Sequence, residues 1–270
     1  MPPTFDSGYG KQPYRDLCEN FPDSSMYPQA DFRVEWGPIF HRGRLDGSAR
    51  VLLIGQDPAA QEAIARRILV GTAGHRVQGF LHKLGIDLSY VMINTFLYSV
   101  YGSGGQGHKN DPGIVDYRNR WLKELLRRNQ IEAIVAFGGL ADDAWQKWWA
   151  SPAASGSNPV YAHVTHPTAP ESAGGSAQDI ARTTRALLRN WNNALDVLHP
   201  AIAHPDTSRP LVRYGQAFKP HELKDIPPDD LPPGLPSWMQ RAEGWARRTG
   251  NTAAQKRATI TVTVPGSFVP

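Results

Sequence analysis

Two polar stretches follow apolar runs in this sequence, at the points where predicted strands end. Gln56 and Asp57 come after the apolar residues 51–54 and a glycine, and His166 comes in the same way after residues 160–165. An α/β protein presents its chemistry in this form, as polar residues just past a strand at the carboxyl edge of the sheet. A carboxylate at the position of Asp57 can orient a water molecule or stabilise a positive charge.

Each of these side chains also has a purely structural explanation. Asp57 could cap a following turn, and Gln56 could hold that turn together. A single histidine such as His166 is more often a hydrogen-bonded structural residue than a functional one. Asn94, at the carboxyl end of another apolar run, could satisfy a nearby loop. The functional interpretation gains weight because independent strands would bring Asp57, Asn94 and His166 to one sheet edge, where α/β folds bind ligands.

The elements that would position these residues alternate between strands and helices. Apolar runs predict four strands, at residues 51–54, 90–94, 131–137 and 160–165. Amphipathic stretches with helical spacing lie between and after them. This alternation predicts an α/β fold, a three-layer αβα sandwich around a central, mostly parallel four-stranded sheet.

The end of the chain differs from the rest in composition. We expect residues 1–200 to form the domain just described. Residues 201–270 are rich in proline, with a short helical stretch at 237–248 and an alternating pattern typical of a strand at 259–264. We expect them to form an extension that packs on the core, not a second catalytic domain.

Composition narrows the possible classes of function. The formal net charge of +4 permits an anionic partner such as nucleic acid without requiring one. Cys18 is the single cysteine, which excludes an intramolecular disulfide, a cysteine-ligated iron–sulfur cluster and a multi-cysteine zinc site. The first ten residues show no secretory signal, and no apolar run approaches the roughly 20 residues that span a bilayer. We therefore expect a cytoplasmic protein without a membrane partner.

The two polar stretches resemble the motifs of a known family. Residues 55–59 (Gly-Gln-Asp-Pro-Ala) resemble the Gly-Gln-Asp-Pro-Tyr motif of uracil-DNA glycosylases, and residues 166–172 resemble their His-Pro-Ser-Pro-Leu-Ser motif. Asn94 lies on the intervening strand, where that superfamily has the asparagine that binds uracil. The resemblance covers about residues 50–195 in motif order and spacing, and the combination is more specific than either motif alone.

This resemblance implies a base excision repair enzyme that hydrolyses the bond between uracil and deoxyribose and leaves an abasic site. Asp57 would orient the attacking water and stabilise the oxocarbenium-like sugar. His166 would hydrogen-bond the uracil O2, where negative charge gathers. Asn94 would read the uracil edge through its amide, and Gln56 would contact the flipped nucleotide. The implied protein is a monomer that needs no metal or organic cofactor and binds uracil-containing DNA, single or double stranded.

The other implied contacts divide between the base and the DNA backbone. The uracil pocket would include Asn94, Leu69, Pro58 and Ala59. Thr168 and Ser172, with nearby backbone N–H groups, could hold phosphates. The full set of implied DNA contacts is Pro167, Thr168, Pro170, Ser172, His108 and Lys109. Further electrostatic candidates are Arg66, Arg67 and Arg76, and for each charged residue a solvated surface position is an equally good interpretation.

Three positions depart from the family's patterns. Ala59 stands where a tyrosine fills the space of the thymine methyl, so thymine would be excluded by another side chain or less strictly. Pro170 stands where a leucine wedge enters the DNA, and it is rigid but shorter in reach. Residues 69–74 resemble the Phe-Val-Gly-Arg-Ala-Gly segment of the iron–sulfur glycosylases, with Leu69 replacing the aromatic residue that stacks on uracil. Because the four cluster cysteines are missing, we expect a divergent member without an iron–sulfur cluster.

Two other interpretations use the same residues. The first is a non-catalytic or very weakly active protein of this fold that binds uracil-containing DNA. Asp57 and His166 together favour catalysis over it, since a binder would need neither. The second is an unrelated α/β hydrolase or nucleotide-binding domain. Against it, the sequence contains no Gly-x-Ser-x-Gly elbow, no P-loop, and no Gly-x-Gly-x-x-Gly after the first strand.

Overall fold

A five-stranded sheet carries helices on both faces in the computed structural model of this protein, which describes residues 10–154 and 158–268. Its strands are β1 (His41–Gly43), β2 (Val51–Gly55), β3 (Tyr90–Asn94), β4 (Ala133–Phe137) and β5 (Val160–Val164). They lie in the order β1-β3-β2-β4-β5, and only β1 is antiparallel to its neighbour. The predicted α/β class and mostly parallel sheet are confirmed, whereas the predicted number of four strands is wrong.

The additional strand, β1, is a short edge strand that the sequence does not indicate. Its residues His-Arg-Gly lack an apolar pattern, and Gly43 begins a segment whose glycines at 43 and 47 are typical of a turn. Arg42 is nevertheless fully buried, and its guanidinium forms an ion pair with Asp230 at 3.1 Å. A buried charge is tolerated when it is paired. The partner lies 188 residues further along the chain, so no local pattern could indicate this strand.

Helices connect the strands and cover both faces of the sheet. The helices of the described residues are α1 (Tyr14–Glu19), α2 (Ala60–Ala65), α3 (Gly71–Lys83), α4 (Gly105–His108), α5 (Pro112–Arg128), α6 (Gly139–Trp149), α7 (Ala169–Ala173), α8 (Ala177–Leu198), α9 (Trp238–Arg241) and α10 (Ala253–Ala258). Residues 71–74, which look like a flexible join in the sequence, form the first turn of α3. Residues 32–36 alternate apolar and polar side chains, a pattern that favours a strand, but they contain a 3₁₀ turn instead.

The core lies on both sides of the sheet because successive strand residues point to opposite faces. In β2, Val51 and Leu53 pack with residues of α3 and α8, whereas Leu52 and Ile54 pack with residues of α5 and α6. A strand buried on both faces reads as a continuous apolar run. This is the physical reason why the three central strands β2, β3 and β4 could be found from the sequence.

The residues after α8 form a third apolar cluster that packs on the region following β2. Trp238 and Trp245 pack there with Ile226 and with Ala60 of α2. The short strands β6 (Ala246–Arg248) and β7 (Ile260–Val262) pair antiparallel. β6 therefore occupies part of the predicted helical stretch 237–248, and only α9 is helical there. The division into a domain ending near residue 200 and an extension stays a prediction.

A helix that spans a membrane must be long and predominantly apolar. Within residues 10–154 and 158–268, no helix combines the length and the apolar character that crossing a bilayer demands.

Candidate active site

The ends of β2 and β3 meet side by side and bring two polar residues together. Gly55, the last residue of β2, pairs with Asn94, the last residue of β3. A Cβ on Gly55 would lie only 2.2 Å from the Asn94 Oδ1 atom, so glycine is required for the amide to occupy this place. Gln56 and Asp57 follow directly. The strand register therefore holds the Asn94 amide next to the turn that carries Asp57.

A pocket of about 200 Å³ opens at this edge of the sheet. Seven of the residues predicted from the sequence line it, namely Gln56, Asp57, Ala59, Leu69, Asn94, His166 and Thr168. The residues come from the ends of β2, β3 and β5 and from the segment before α3. The structure thus brings together the carboxylate, the amide and the imidazole that the sequence separates by more than one hundred residues.

The Asp57 carboxylate is partly buried and held from one side. Its Oδ2 atom accepts a hydrogen bond from the Val100 backbone N–H at 2.9 Å. Burial raises the pKa of the Asp57 carboxyl to about 6, and the Val100 hydrogen bond opposes that rise. The positive charges of Arg33 and Arg248 also oppose it. Asp57 is consequently ionised at neutral pH, with one oxygen atom held by the Val100 N–H.

His166 is neutral, and its tautomer is determined by its own loop. The Nδ1 atom accepts a hydrogen bond from the Thr168 backbone N–H at 3.3 Å and lies 3.1 Å from the Thr168 hydroxyl. Burial lowers the pKa of His166 to about 4, so the imidazole carries a single proton at neutral pH. Because Nδ1 accepts, the proton resides on Nε2. His166 therefore offers a neutral N–H donor to a ligand in the pocket.

Leu69 lies over the floor of the pocket in an unusual backbone conformation. Its φ of +50° is in the left-handed region, which costs a non-glycine residue roughly 1–3 kcal/mol. Its Cδ1 atom lies 3.8 Å from the point that a Cβ on Gly55 would occupy, so it flanks the Asn94 amide. A Cβ on Gly74 would lie 2.1 Å from the Leu69 carbonyl oxygen. The glycine in α3 thus allows the close approach that keeps Leu69 in place.

Glu62 is a pocket residue that the sequence analysis missed. It is 6% exposed, and its carboxylate accepts a hydrogen bond from the Ala59 backbone N–H at 3.1 Å. Burial raises the pKa of Glu62 to about 7, and the nearby Asp57 charge adds to that rise. Because Ala59 at the start of α2 has no side-chain oxygen, the sequence lacks the usual Ser/Thr-x-x-Glu capping pattern, and no local signal indicated Glu62. Glu62 holds the turn that follows Asp57.

The outer part of the second motif is organised by Arg76. Its guanidinium donates to the Pro167 carbonyl at 2.7 Å and to the Glu171 carboxylate at 2.7 Å. Arg76 therefore holds the loop of residues 166–172 in place. This structural role is an alternative to the phosphate contact that was predicted for Arg76. Ser172 is exposed, whereas Pro170 is buried at the start of α7, so its ring is not presented at the surface as a wedge requires.

The other predicted cations lie outside the pocket lining. Arg66 donates to the carbonyls of Trp36 and Pro38, and Arg67 is buried. His108 bonds to Asp111 and Asp31, and these two hydrogen bonds raise the pKa of its imidazole. Lys109 lies 3.9 Å from Asp143. Pro58 is buried beside Asp57. The structure does not bring these five charged or apolar side chains to the pocket wall, and their predicted contacts stay predictions.

The donor set of the pocket suits hydrogen bonding. Across the described parts of the chain, no group of three or more His, Cys, Asp or Glu side chains is arranged to hold a metal ion. A partly buried carboxylate, an amide and a neutral imidazole can together bind a planar polar ring and stabilise charge that develops on it.

Comparison with known families agrees with this geometry. A family model described as the uracil DNA glycosylase superfamily matches residues 42–210, which is more than half of the chain and includes the whole pocket. No curated protein matches the chain. The chain belongs to the uracil DNA glycosylase superfamily, and this membership supports a glycosylase-type function in DNA repair.

Proposed function

We propose that this member of the uracil DNA glycosylase superfamily hydrolyses the N-glycosidic bond between uracil and deoxyribose in DNA and leaves an abasic site. One observation carries the proposal. Asp57, Asn94 and His166 line a single pocket of about 200 Å³, and backbone N–H groups hold the side chains of Asp57 and His166 there. The base reaches such a pocket only when its nucleotide is flipped out of the stack.

His166 acts on the departing base. As the C1′–N1 bond breaks, its electrons move onto the uracil ring and negative charge grows at O2. A neutral Nε2–H donor stabilises that charge without itself giving up a proton. Preorganised donors of this kind are usually the largest single contribution to catalysis, because they need no reorientation during the reaction. The low pKa of His166 ensures that the imidazole is neutral at neutral pH.

Asp57 acts on the sugar and the water. Above a pH of about 6 its carboxylate is ionised and stabilises the positive charge that develops at C1′. It also orients a water molecule whose oxygen forms the new bond to C1′. The water proton passes to the carboxylate, and the uracil anion later takes a proton from solvent. One oxygen atom of Asp57 accepts from the Val100 N–H.

Asn94 and Leu69 recognise the base. The Asn94 amide can accept from the uracil N3–H and donate to O4, and cytosine presents the opposite pattern at these two positions. Leu69 covers the ring with an apolar face in place of an aromatic one. Ala59 is exposed at the rim and provides no bulk against a 5-methyl group. We therefore expect weaker discrimination between uracil and thymine than between uracil and cytosine.

Base release from labelled oligonucleotides tests the proposal. Single-stranded and duplex substrates carrying uracil, mispaired thymine or hypoxanthine are incubated with the protein and then treated with alkali, which cleaves at abasic sites. Strand cleavage at uracil is the expected result. A gel shift on uracil-containing DNA without cleavage would contradict catalysis and favour a binding protein of the same fold.

Exchange of Asn94 tests the recognition of the base. Asn94→Asp keeps the size of the side chain but replaces the amide donor by a second acceptor, so cytosine excision rises relative to uracil excision. The exposed Asn193→Asp on α8 makes the same chemical change away from the pocket and serves as the control. Unchanged selectivity in Asn94→Asp would remove Asn94 from its proposed role.

A further inference from the structure

A second cavity adjoins the pocket and shares Ala59 and Gln61 with it. Its volume is about 700 Å³, within the range of roughly 300–1,000 Å³ that ligand sites occupy. One wall is formed by residues 246–248 of β6 and by α10, which lie outside the region that the family model matches. We call this cavity the basic groove.

The groove is lined by positive charge. Its cationic residues are Arg33, Arg247, Arg248 and Lys256, and no acidic residue lines it. Arg247 and Lys256 are exposed, and neither side chain forms a hydrogen bond or an ion pair within residues 10–154 and 158–268. Arg257, the neighbour of Lys256 on α10, is by contrast paired with Glu35. Unpaired cations along a concave wall attract an anionic partner.

The wall of the groove is held firmly against the rest of the protein. Arg257 of α10 donates to the Phe32 carbonyl at 2.9 Å and to the Glu35 carboxylate at 2.8 Å. Its guanidinium also lies 4.8 Å from the centre of the Tyr101 ring. At the start of β6, Trp245 is 2% exposed within the third apolar cluster. Arg247 and Lys256 are therefore presented by an anchored surface.

A positive charge of the groove also acts on the Asp57 carboxylate in the pocket. Arg248 is one of the two cations whose charge limits the rise in the pKa of Asp57. Arg248 lines the groove, and the groove shares Ala59 and Gln61 with the pocket that contains Asp57.

We propose that the basic groove binds the phosphodiester backbone of the DNA strand next to the flipped nucleotide, with Arg247 and Lys256 contacting phosphates. The residues after α8 thereby supply a DNA contact that the region matching the family does not contain. The inference rests on the proposed function, because it takes DNA as the substrate.

Binding of undamaged DNA tests the groove separately from uracil removal. The affinity of the full chain for a labelled oligonucleotide without uracil is measured by fluorescence anisotropy at several salt concentrations. Arg247→Ala/Lys256→Ala should weaken binding by roughly tenfold at about 0.15 M salt. The slope of log K against log salt should fall by about 1.4 for a single strand or about 1.8 for a duplex.

Two matched variants make the result specific. Lys123→Ala/Arg189→Ala removes two exposed cations from α5 and α8, outside both cavities, and should bind as the unaltered protein does. Arg247→Lys/Lys256→Arg keeps both charges and should retain most of the affinity. Equal losses in the groove and control variants, or no loss in either, would overturn the proposal, as would a charge-conserving variant as weak as the alanine one.

The two proposals fail in different ways. If the groove variants lose affinity for undamaged DNA but the unaltered protein releases no uracil, the groove stands and the glycosylase activity does not. If uracil is released and the groove variants bind DNA as tightly as the control, the glycosylase activity stands and the groove does not.

Discussion

Asp57 and His166 follow two strands of the same sheet and line the same pocket, yet their electrostatic surroundings differ. Burial raises the pKa of Asp57 to about 6, and the charges of Arg33 and Arg248 limit that rise. Burial alone lowers the pKa of His166 to about 4, without a compensating anion. At neutral pH the Asp57 carboxylate after β2 is therefore anionic, and the His166 imidazole after β5 is neutral.

Because one group is anionic and the other neutral, Asp57 and His166 can have two separate roles in the proposed reaction. An ion pair between them could not fill both roles. A protonated His166 next to an ionised Asp57 would attract it and reduce the negative charge available to the sugar. In the proposed reaction the imidazole stays neutral, so the carboxylate would stabilise the sugar while the N–H donor would stabilise the base. The comparison predicts that activity rises with pH through the pKa of Asp57 and does not require titration of His166.

The largest expected effect comes from removing the charge at the first strand end. Asp57→Asn keeps the size of the side chain and an acceptor for the Val100 N–H but cannot stabilise a cationic sugar, so kcat should fall on the order of 10³-fold. The measurement is single-turnover release of uracil. Asp116→Asn, on the exposed side of α5, is the control and should behave as the unaltered protein does. A loss of less than about tenfold would exclude the proposed role of Asp57.

Removing the donor at the second strand end should cost less. His166→Ala deletes one N–H donor to the leaving base, a change that typically lowers kcat roughly 10²-fold. His166→Gln restores a donor and should recover part of the activity. The rise of activity near pH 6 should persist in both variants, because it belongs to Asp57. If the rise of activity near pH 6 is lost when His166 is replaced, the titrating group is His166 and not Asp57.

Stability should change with pH in the direction set by Asp57. Its folded-state pKa of about 6 is above the usual 3.8, so ionisation destabilises the folded protein as pH rises through this interval. Asp57→Asn should therefore raise the free energy of unfolding at pH 8 by up to about 3 kcal/mol, and by much less at pH 4. Urea unfolding at both pH values measures this. Equal changes at both pH values would show that the carboxylate charge is not the cause.

A smaller effect should follow from loosening the His166 tautomer. Thr168→Val removes the hydroxyl near Nδ1 but leaves the backbone N–H that also donates to it, so kcat should fall only severalfold. Thr168→Ser keeps a hydroxyl and serves as the control. Nitrogen NMR of the labelled imidazole should detect more of the Nδ1–H tautomer in Thr168→Val. An unchanged tautomer ratio together with reduced activity would indicate a different role for Thr168.

The smallest expected effect is on the electrostatic environment of Asp57. Arg248→Ala removes a charge that lowers the pKa of Asp57, so the rising part of the pH–rate profile should move to higher pH. At saturating DNA, activity should fall roughly twofold to threefold at pH 6 and little at pH 8. Arg247→Ala removes the neighbouring charge, which is not among those that lower the pKa of Asp57, and should leave the position of the rise unchanged. A shift of equal size in both variants would contradict a specific effect of Arg248.

A strand could be predicted from the sequence where its residues are buried on both faces of the sheet, because such a strand is a continuous apolar run. β2, β3 and β4 are such runs, whereas β5 is a half-buried edge strand with an exposed His163, and the alternation of the four strands with helices indicated a parallel sheet. β1 was missed because its buried Arg42 depends on Asp230, far away in the chain. α3 begins at Gly71, where a glycine-rich segment suggested a loop, because close packing around Leu69 and Gly74 favours the helix.

Part of the candidate site was predictable in the same way. Polar residues just past buried strands, at Gln56, Asp57, Asn94 and His166, line the pocket because parallel strands end at one edge. Glu62 was missed because its carboxylate works through the Ala59 backbone, within a turn whose geometry depends on the fold. The burial of Pro170 likewise follows from the packing of α7, and the sequence of residues 166–172 does not indicate it.

Apolar runs and the residues that follow them are local features, so the amino-acid order alone identifies the chemical groups at the strand ends. The charge of those groups depends on how the chain folds around them. Asp57 responds to Arg33 and Arg248, which lie on opposite sides of it in the sequence, and His166 responds to its burial. Electrostatic energy depends on distance and solvent in three dimensions. For that reason an ionised carboxylate beside a neutral imidazole can be recognised only after the chain has folded.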